Sequence, residues 1–123
     1  MEMGKKILVV EDSRNFVKGL KMALEAKGYR VNVAGDGVQA MERVFSFKPD
    51  LVLLDLLVPK LDGFVVLESL KREDRTRSIP VVVISAKADE EDIKKARKLG
   101  AADYLVKPFT PRELAGALEK VLG

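Results

Sequence analysis

Short apolar runs alternate with amphipathic segments along the whole chain, and this alternation predicts its fold. Continuous apolar runs bounded by polar residues are typical of strands in a parallel sheet that is covered on both faces. The five candidate strands are Ile7–Val10, Val31–Ala34, Leu51–Leu54, Val81–Ile84 and Ala102–Val106. The second strand alternates more than the others because it contains Asn32, so we expect it at an edge of the sheet.

Five segments that follow the strands carry apolar residues at helical spacing. Their apolar stripes begin at Phe16, Val38, Phe64, Ile93 and Leu114. Gly28 and Gly100 predict the ends of the first and fourth helices, and Pro111 predicts the start of the fifth. The order is therefore (βα)5, which predicts an α/β fold with right-handed crossovers. We expect a doubly wound, parallel, five-stranded sheet in the flavodoxin-like order 2-1-3-4-5.

Length and composition narrow the class of protein. The 123 residues suffice for one domain with its own core, so we predict a single domain over residues 1–123. The net charge of +3 is far from the concentrated positive charge of a nucleic-acid binder, so no direct nucleic-acid binding is expected. The chain has no Cys and no His, which excludes disulfides, thiolate or imidazole metal ligands, a Ser-His-Asp triad and a phosphohistidine on this chain.

The N-terminal segment has two lysines before an apolar run, as a signal peptide does. The run Ile7–Val10 is too short for the apolar part of a signal peptide, and no small-residue cleavage site follows it. No apolar stretch approaches the length of a membrane span. We therefore expect a cytoplasmic protein that does not contact a membrane.

Polar side chains occupy the carboxyl end of four of the five strands. Glu11 and Asp12 follow the first strand, Asp55 the third, Ser85 the fourth and Lys107 the fifth. In an open α/β sheet the ligand site lies beyond these ends, where the strand order reverses. The order 2-1-3-4-5 places that point between the first and third strands. We therefore expect Asp12 and Asp55 to be neighbours with Glu11 close by, and Ser85 and Lys107 to approach from the other side.

These residue types indicate phosphoryl transfer assisted by a cation. Three carboxylates repel one another, so at least one would keep its proton without a counter-charge. An all-oxygen ligand set without Cys or His suits Mg²⁺. A cation and Lys107 could neutralise phosphoryl oxygens and Ser85 could donate to one of them, while a carboxylate attacks. Asp55 is the central candidate, and it is already ionised at neutral pH.

Four motifs identify a known family. The pair Glu11-Asp12, LVLLDLLVPKLDG (51–63), VVVISA (81–86) and YLVKPF (104–109) resemble the receiver domain of two-component response regulators. The resemblance extends over essentially the whole chain. It implies that Asp55 accepts the phosphoryl group and that Mg²⁺, for which Mn²⁺ can substitute, is held by Glu11, Asp12, Asp55 and the main-chain carbonyl of Leu57.

The resemblance also implies roles for residues outside the acid cluster. Ser85 and Lys107 would contact the phosphoryl group, and Tyr104 would be the aromatic whose rotamer changes on phosphorylation. The Lys107–Pro108 peptide bond would be cis. Since this chain has no His, the donor would be a sensor histidine kinase, a phosphotransfer protein or a small phosphodonor. The domain would be a regulatory switch rather than an enzyme by purpose, either a monomer or a phosphorylation-dependent dimer, and would contact its output partner through the fourth helix, fifth strand and fifth helix.

The chain departs from the commonest family pattern at a few positions. Val58 stands where Met usually precedes the proline, and the switch hydroxyl is Ser85 rather than Thr. Leu57 and Lys87 occupy the two positions that influence autodephosphorylation in the family. Because Leu57 is bulky and apolar, it could hinder an attacking water. We therefore expect a long-lived phosphoryl group.

Three alternatives to a receiver domain fit the sequence less well. The segment GDGVQA (35–40) fits a dinucleotide-binding motif, but it follows the strand expected at the edge. A flavodoxin-type nucleotide module would need a hydroxyl- and glycine-rich loop where this chain has EDSRN (11–15). An aspartyl-phosphate phosphatase would have an acid in place of Leu57. Since Gly123 comes just after the fifth helix, we expect either a stand-alone regulator or a receiver from a longer transcription factor or hybrid kinase.

Overall fold

The computed structural model of the chain describes residues 4–123 and contains five strands and five helices in alternation. The strands are β1 (Lys6–Val10), β2 (Arg30–Ala34), β3 (Leu51–Asp55), β4 (Val81–Ser85) and β5 (Asp103–Val106). The helices are α1 (Arg14–Ala26), α2 (Gly37–Phe47), α3 (Gly63–Arg72), α4 (Glu90–Lys98) and α5 (Pro111–Leu122). All paired strands are parallel and their order is β2-β1-β3-β4-β5, which confirms the predicted topology and the edge position of β2.

Strand boundaries differ from the predicted runs by one residue. The first four strands are each one residue longer, and Asp55 and Ser85 thereby become the last residues of β3 and β4. The fifth is one residue shorter because Ala102 still lies in the bend after Gly100. Gly28 and Gly100 have φ of 93° and 108° just beyond α1 and α4, so both helices end at a glycine as predicted. Pro111 is the first residue of α5.

The sheet is covered on both faces, which explains why its strands are continuously apolar. Alternate strand residues contribute to two separate clusters, one that contains residues of α2, α3 and α4 and one that contains residues of α1 and α5. Every residue of β3 and β4 is buried. Asp55 and Ser85 are therefore polar groups at the ends of the two most deeply buried strands.

The helices differ in how firmly they are attached to the sheet. In α3, five of ten residues are buried, whereas Ala96 is the one buried residue among the nine of α4. Helix α5 begins with a capping box, in which Thr110 accepts from the amide of Glu113 and the Glu113 carboxylate accepts from the amide of Thr110. Among residues 4–123, no helix combines the length and apolar character that a membrane crossing requires.

Candidate functional site

Strand register brings the predicted polar residues to one edge of the sheet. Val10 of β1 pairs with Leu54 of β3, so Glu11 and Asp55 follow at the same level. On the other side of β3, Asp55 pairs with Ile84, which places Ser85 one position beyond it. Adjacent parallel strands thus present their carboxyl ends together, as the switch-point rule requires.

Three carboxylates form a compact cluster at this edge. Glu11, Asp12 and Asp55 each offer an oxygen, and these oxygens all lie within 4.8 Å of one another. Glu11 and Asp55 are buried, with 2% and 4% of their surface exposed, whereas Asp12 is exposed. A cluster of oxygen ligands with one side open to water suits Mg²⁺, which retains several waters when it binds to protein. The donor set therefore fits the predicted cation.

Lys107 supplies the counter-charge of the two buried acids. Its Nζ lies 2.5 Å from Glu11 Oε2 and 2.7 Å from Asp55 Oδ2. The sequence placed Lys107 near the acids but did not show that it bridges two of them. The ammonium also lies 4.3 Å from the centre of the Phe16 ring, a cation–π contact that the sequence analysis missed. The sequence signal for this contact is an aromatic residue one helical turn after the Glu11-Asp12 pair, at a position that the apolar stripe of α1 already explains.

The environment separates the pKa values of the two buried acids. Burial, reinforced by the neighbouring Asp55, raises the pKa of Glu11 to about 7. Burial also disfavours the charge on Asp55, but hydrogen bonds from Glu11, Lys107 and the Leu57 amide outweigh it and lower the Asp55 pKa. The lysine loses solvation as well, yet its contacts with Asp55 and Glu11 raise the pKa of Lys107. The charged form is therefore favoured at Asp55, whereas the protonated form is favoured at Glu11.

The loop after β3 and the connection before α5 complete the surroundings of Asp55. The amide of Leu57 donates to Asp55 Oδ1 at 2.9 Å, which fixes the orientation of the carboxylate. Half of the Leu57 side chain is exposed. The Lys107–Pro108 bond is cis, as the family resemblance implied.

Ser85 and Tyr104 are joined through the backbone of Lys87. Ser85 is fully buried, and its Oγ accepts from the Lys87 amide at 3.1 Å. Tyr104 is 8% exposed, and its hydroxyl donates to the Lys87 carbonyl at 2.8 Å. The short β4–α4 connection therefore links the hydroxyl at the end of β4 to the aromatic ring on β5.

The segment GDGVQA does not follow a strand of the switch point, which lies between β1 and β3. It follows the edge strand β2, and Asp36 Oδ1 accepts from the amide of Gln39 at 2.8 Å to cap α2. Its position gives no support to the dinucleotide-binding alternative.

This architecture, with its acid cluster and lysine at the β1–β3 switch point, defines a CheY-like receiver fold. The family model described as response regulator receiver domain matches residues 7–119. The chain belongs to that family, whose members are regulatory domains of two-component systems controlled by phosphorylation rather than enzymes in the usual sense.

Curated relatives and solved structures agree with this assignment. The chain is 41% identical over 120 residues to the alkaline phosphatase synthesis transcriptional regulatory protein PhoP of Bacillus subtilis, with 98% of this chain and 49% of the relative covered. It is 38% identical to the phosphate regulon transcriptional regulatory protein PhoB of Pseudomonas aeruginosa, with 98% and 52% covered. The chain thus spans about half the length of these relatives.

A solved receiver domain that contains magnesium is among the structures that share this fold. It is the receiver domain of the sensor histidine kinase PA1611 from Pseudomonas aeruginosa, with a magnesium ion coordinated in its active-site cleft. The TM-score is 0.89 at 32% identity, and 98% of each chain is covered. Receiver domains bind Mg²⁺ in an acidic site. The cluster of Glu11, Asp12 and Asp55 is the corresponding group of carboxylates in this chain.

Proposed function

We propose that Asp55 accepts a phosphoryl group from a phosphohistidine of a sensor histidine kinase or phosphotransfer protein. The observation that carries this proposal is the Asp55 carboxylate, which is buried beside Glu11 and lies 2.7 Å from the Lys107 ammonium. An Asp55 oxygen forms the new bond to phosphorus while the phosphorus–nitrogen bond of the donor breaks. The donor imidazole leaves with that electron pair and takes up a proton.

The neighbouring residues hold and balance the charge of the transferred group. Glu11, Asp12, Asp55 and the main-chain carbonyl of Leu57 would hold Mg²⁺ or Mn²⁺, which when bound neutralises charge on phosphoryl oxygens. Lys107 is already at the acceptor and offers its ammonium to the same oxygens. Ser85 has a hydroxyl at the end of the adjacent strand, from where it can donate to the transferred group after a small movement.

The proposed output is a change in the surface formed by α4, β5 and α5. Ser85 and Tyr104 share the Lys87 backbone as hydrogen-bond partner, so a move of Ser85 toward a phosphoryl group removes one of the contacts that hold this connection. Phosphorylation thereby biases a two-state element. The relatives named above are transcriptional regulators about twice as long as this chain. They favour a receiver that controls a transcriptional output, as part of a longer protein or through a partner.

Intact-mass measurement tests the proposed acceptor. We expect the chain to gain one phosphoryl group on incubation with acetyl phosphate or phosphoramidate, provided that Mg²⁺ is present. Asp55→Asn removes the nucleophile and should abolish the gain. Asp74→Asn, a change of the same kind at an exposed residue, should leave it unchanged. Equal gains in Asp55→Asn and the wild type would show that another residue is the acceptor.

The lifetime of the phosphoryl group tests the role of Leu57. The residue follows Asp55 by two positions, its amide contacts the carboxylate, and its side chain can offer no hydrogen bond to an attacking water. We expect the phosphorylated wild type to persist for longer than seconds. Leu57→Asn should shorten the half-life by about tenfold, which corresponds to a barrier lower by about 1.4 kcal/mol. Decay of the wild type within seconds after removal of the donor would contradict this role.

A further inference from the structure

The segment GDGVQA, which the phosphoryl-transfer site does not use, packs against the loop that leaves β3. We infer that Asp36 and Gly37 are positioning residues for the metal site, because they hold in place the β3–α3 loop (residues 56–62) that carries the carbonyl of Leu57. The inference rests on the proposed function, in which that carbonyl is a metal ligand. It gives a role to a motif that otherwise resembles a nucleotide-binding signature.

Gly37 makes the closest contact with this loop. Its amide donates to the carbonyl of Pro59 at 3.1 Å. A β-carbon at residue 37 would overlap the β-carbon of Leu61 and would lie 3.0 Å from the carbonyl oxygen of that residue. The backbone of Gly37 is not in the left-handed region, so the glycine is needed for space rather than for its conformation. Any side chain here would push the loop away from α2.

Asp36 makes a second contact with the same loop. One oxygen of its carboxylate caps α2, and the other lies 3.4 Å from the ammonium of Lys60. Lys60 has φ of 72°, a left-handed conformation that a lysine adopts when its surroundings impose it. Because the Lys60 side chain is 64% exposed, the ion pair itself contributes little. The main constraint is therefore the close approach at Gly37.

The other end of the loop is fixed in a similar way. The amide of Gly63 donates to the carbonyl of Leu56 at 3.2 Å, and a β-carbon at residue 63 would lie 2.7 Å from that oxygen. Leu57 thus lies between two points at which backbone packs directly on backbone. A ligand held this way needs no ordering when the cation binds, and groups that orient ligands commonly change metal affinity when they are altered.

Two glycine-to-alanine variants distinguish an effect on the position of the metal-binding loop from an effect on the stability of the fold. Gly37→Ala adds one methyl group against the loop, whereas Gly116→Ala adds the same group in α5 where nothing lies within 4 Å. We would measure the Mg²⁺ dissociation constant from amide NMR shifts of ¹⁵N-labelled protein, and the thermal unfolding midpoint of each variant. Gly37→Ala should weaken Mg²⁺ binding about tenfold and shift the amide signals of residues 57–61 even without metal. Gly116→Ala should leave the affinity unchanged.

A second variant removes contacts without adding an atom. Asp36→Ala removes the helix cap and the ion pair with Lys60, and should weaken Mg²⁺ binding about threefold. If Gly37→Ala does not fold, the Mg²⁺ affinity of Asp36→Ala tests the positioning role in its place. Folded variants that lose thermal stability but bind Mg²⁺ as tightly as Gly116→Ala would overturn the positioning role. If Mg²⁺ shifts no signal of the wild type, the proposed metal site itself is wrong, which is a different outcome from unchanged affinity in the variants.

Discussion

Lys107→Met is expected to lower the free energy of unfolding of the metal-free chain by about 3 kcal/mol at about pH 8. The ammonium of Lys107 is the cation that contacts both Glu11 and Asp55, which are 2% and 4% exposed. Without it, two buried carboxylates face each other with no counter-charge. Urea denaturation in the presence of EDTA measures the difference directly.

A matched variant and the metal itself serve as controls for this prediction. Lys94→Met removes one positive charge from the exposed side of α4 and should change stability by less than about 0.5 kcal/mol. Mg²⁺ should restore most of the stability of Lys107→Met, because a cation can then neutralise the same carboxylates. The variant should also bind Mg²⁺ more tightly than the wild type, since the ammonium no longer occupies Glu11 Oε2 and Asp55 Oδ2. Equal losses in the two variants would show that the bridge contributes nothing specific.

The stability of the metal-free chain is expected to fall as the pH rises from about 5 to about 7.5, by about 2 kcal/mol. In the folded state burial and Asp55 raise the pKa of Glu11 from 4.5 to about 7. Between these values the folded chain keeps a proton that the unfolded chain has released, so stability decreases with pH until Glu11 has lost its proton in the folded state as well. The lowered pKa of Asp55 acts below its usual value of 3.8, outside this interval.

Two comparisons show whether Glu11 causes this slope. Glu11→Gln removes the titrating group and should flatten the dependence, whereas Glu42→Gln at an exposed position of α2 should retain it. Saturating Mg²⁺ should largely remove the slope, because the bound cation displaces the proton from Glu11 and leaves both the folded and the unfolded chain deprotonated there. A slope that survives Glu11→Gln would assign the titration to another group. Chemical denaturation at a series of pH values provides the measurement.

Most of the fold follows from the sequence because the physical constraints are strong and local. Strands buried on both faces are apolar along nearly their whole length, so β3 and β4 can be recognised from the sequence as continuous apolar runs. Parallel strands carry their polar residues to a common edge, so Glu11 and Asp55 could be placed together from the strand order alone. The positions of these two acids can therefore be predicted without knowing how their side chains are oriented.

The interactions that tune the site could not be predicted in this way. Lys107 bridges Glu11 and Asp55. Its long side chain can reach several acids, and sequence spacing does not show which of them it contacts. The ring of Phe16 fits the apolar stripe of α1, which hides its contact with that lysine. The contact of Gly37 with Leu61 depends on the distance between two backbones that are far apart in the chain. The sequence shows such a glycine but not what it approaches.

The uneven attachment of the helices has a consequence for how the domain moves. Helix α3 buries half of its residues, whereas α4 is anchored by Ala96 as its one buried residue. Local opening costs least where few apolar contacts must be broken. Helix α4 can therefore shift or fray while the sheet and the acid cluster stay intact. A small change at the end of β4 would then alter the populations of α4 conformations while the packing of the core stays unchanged.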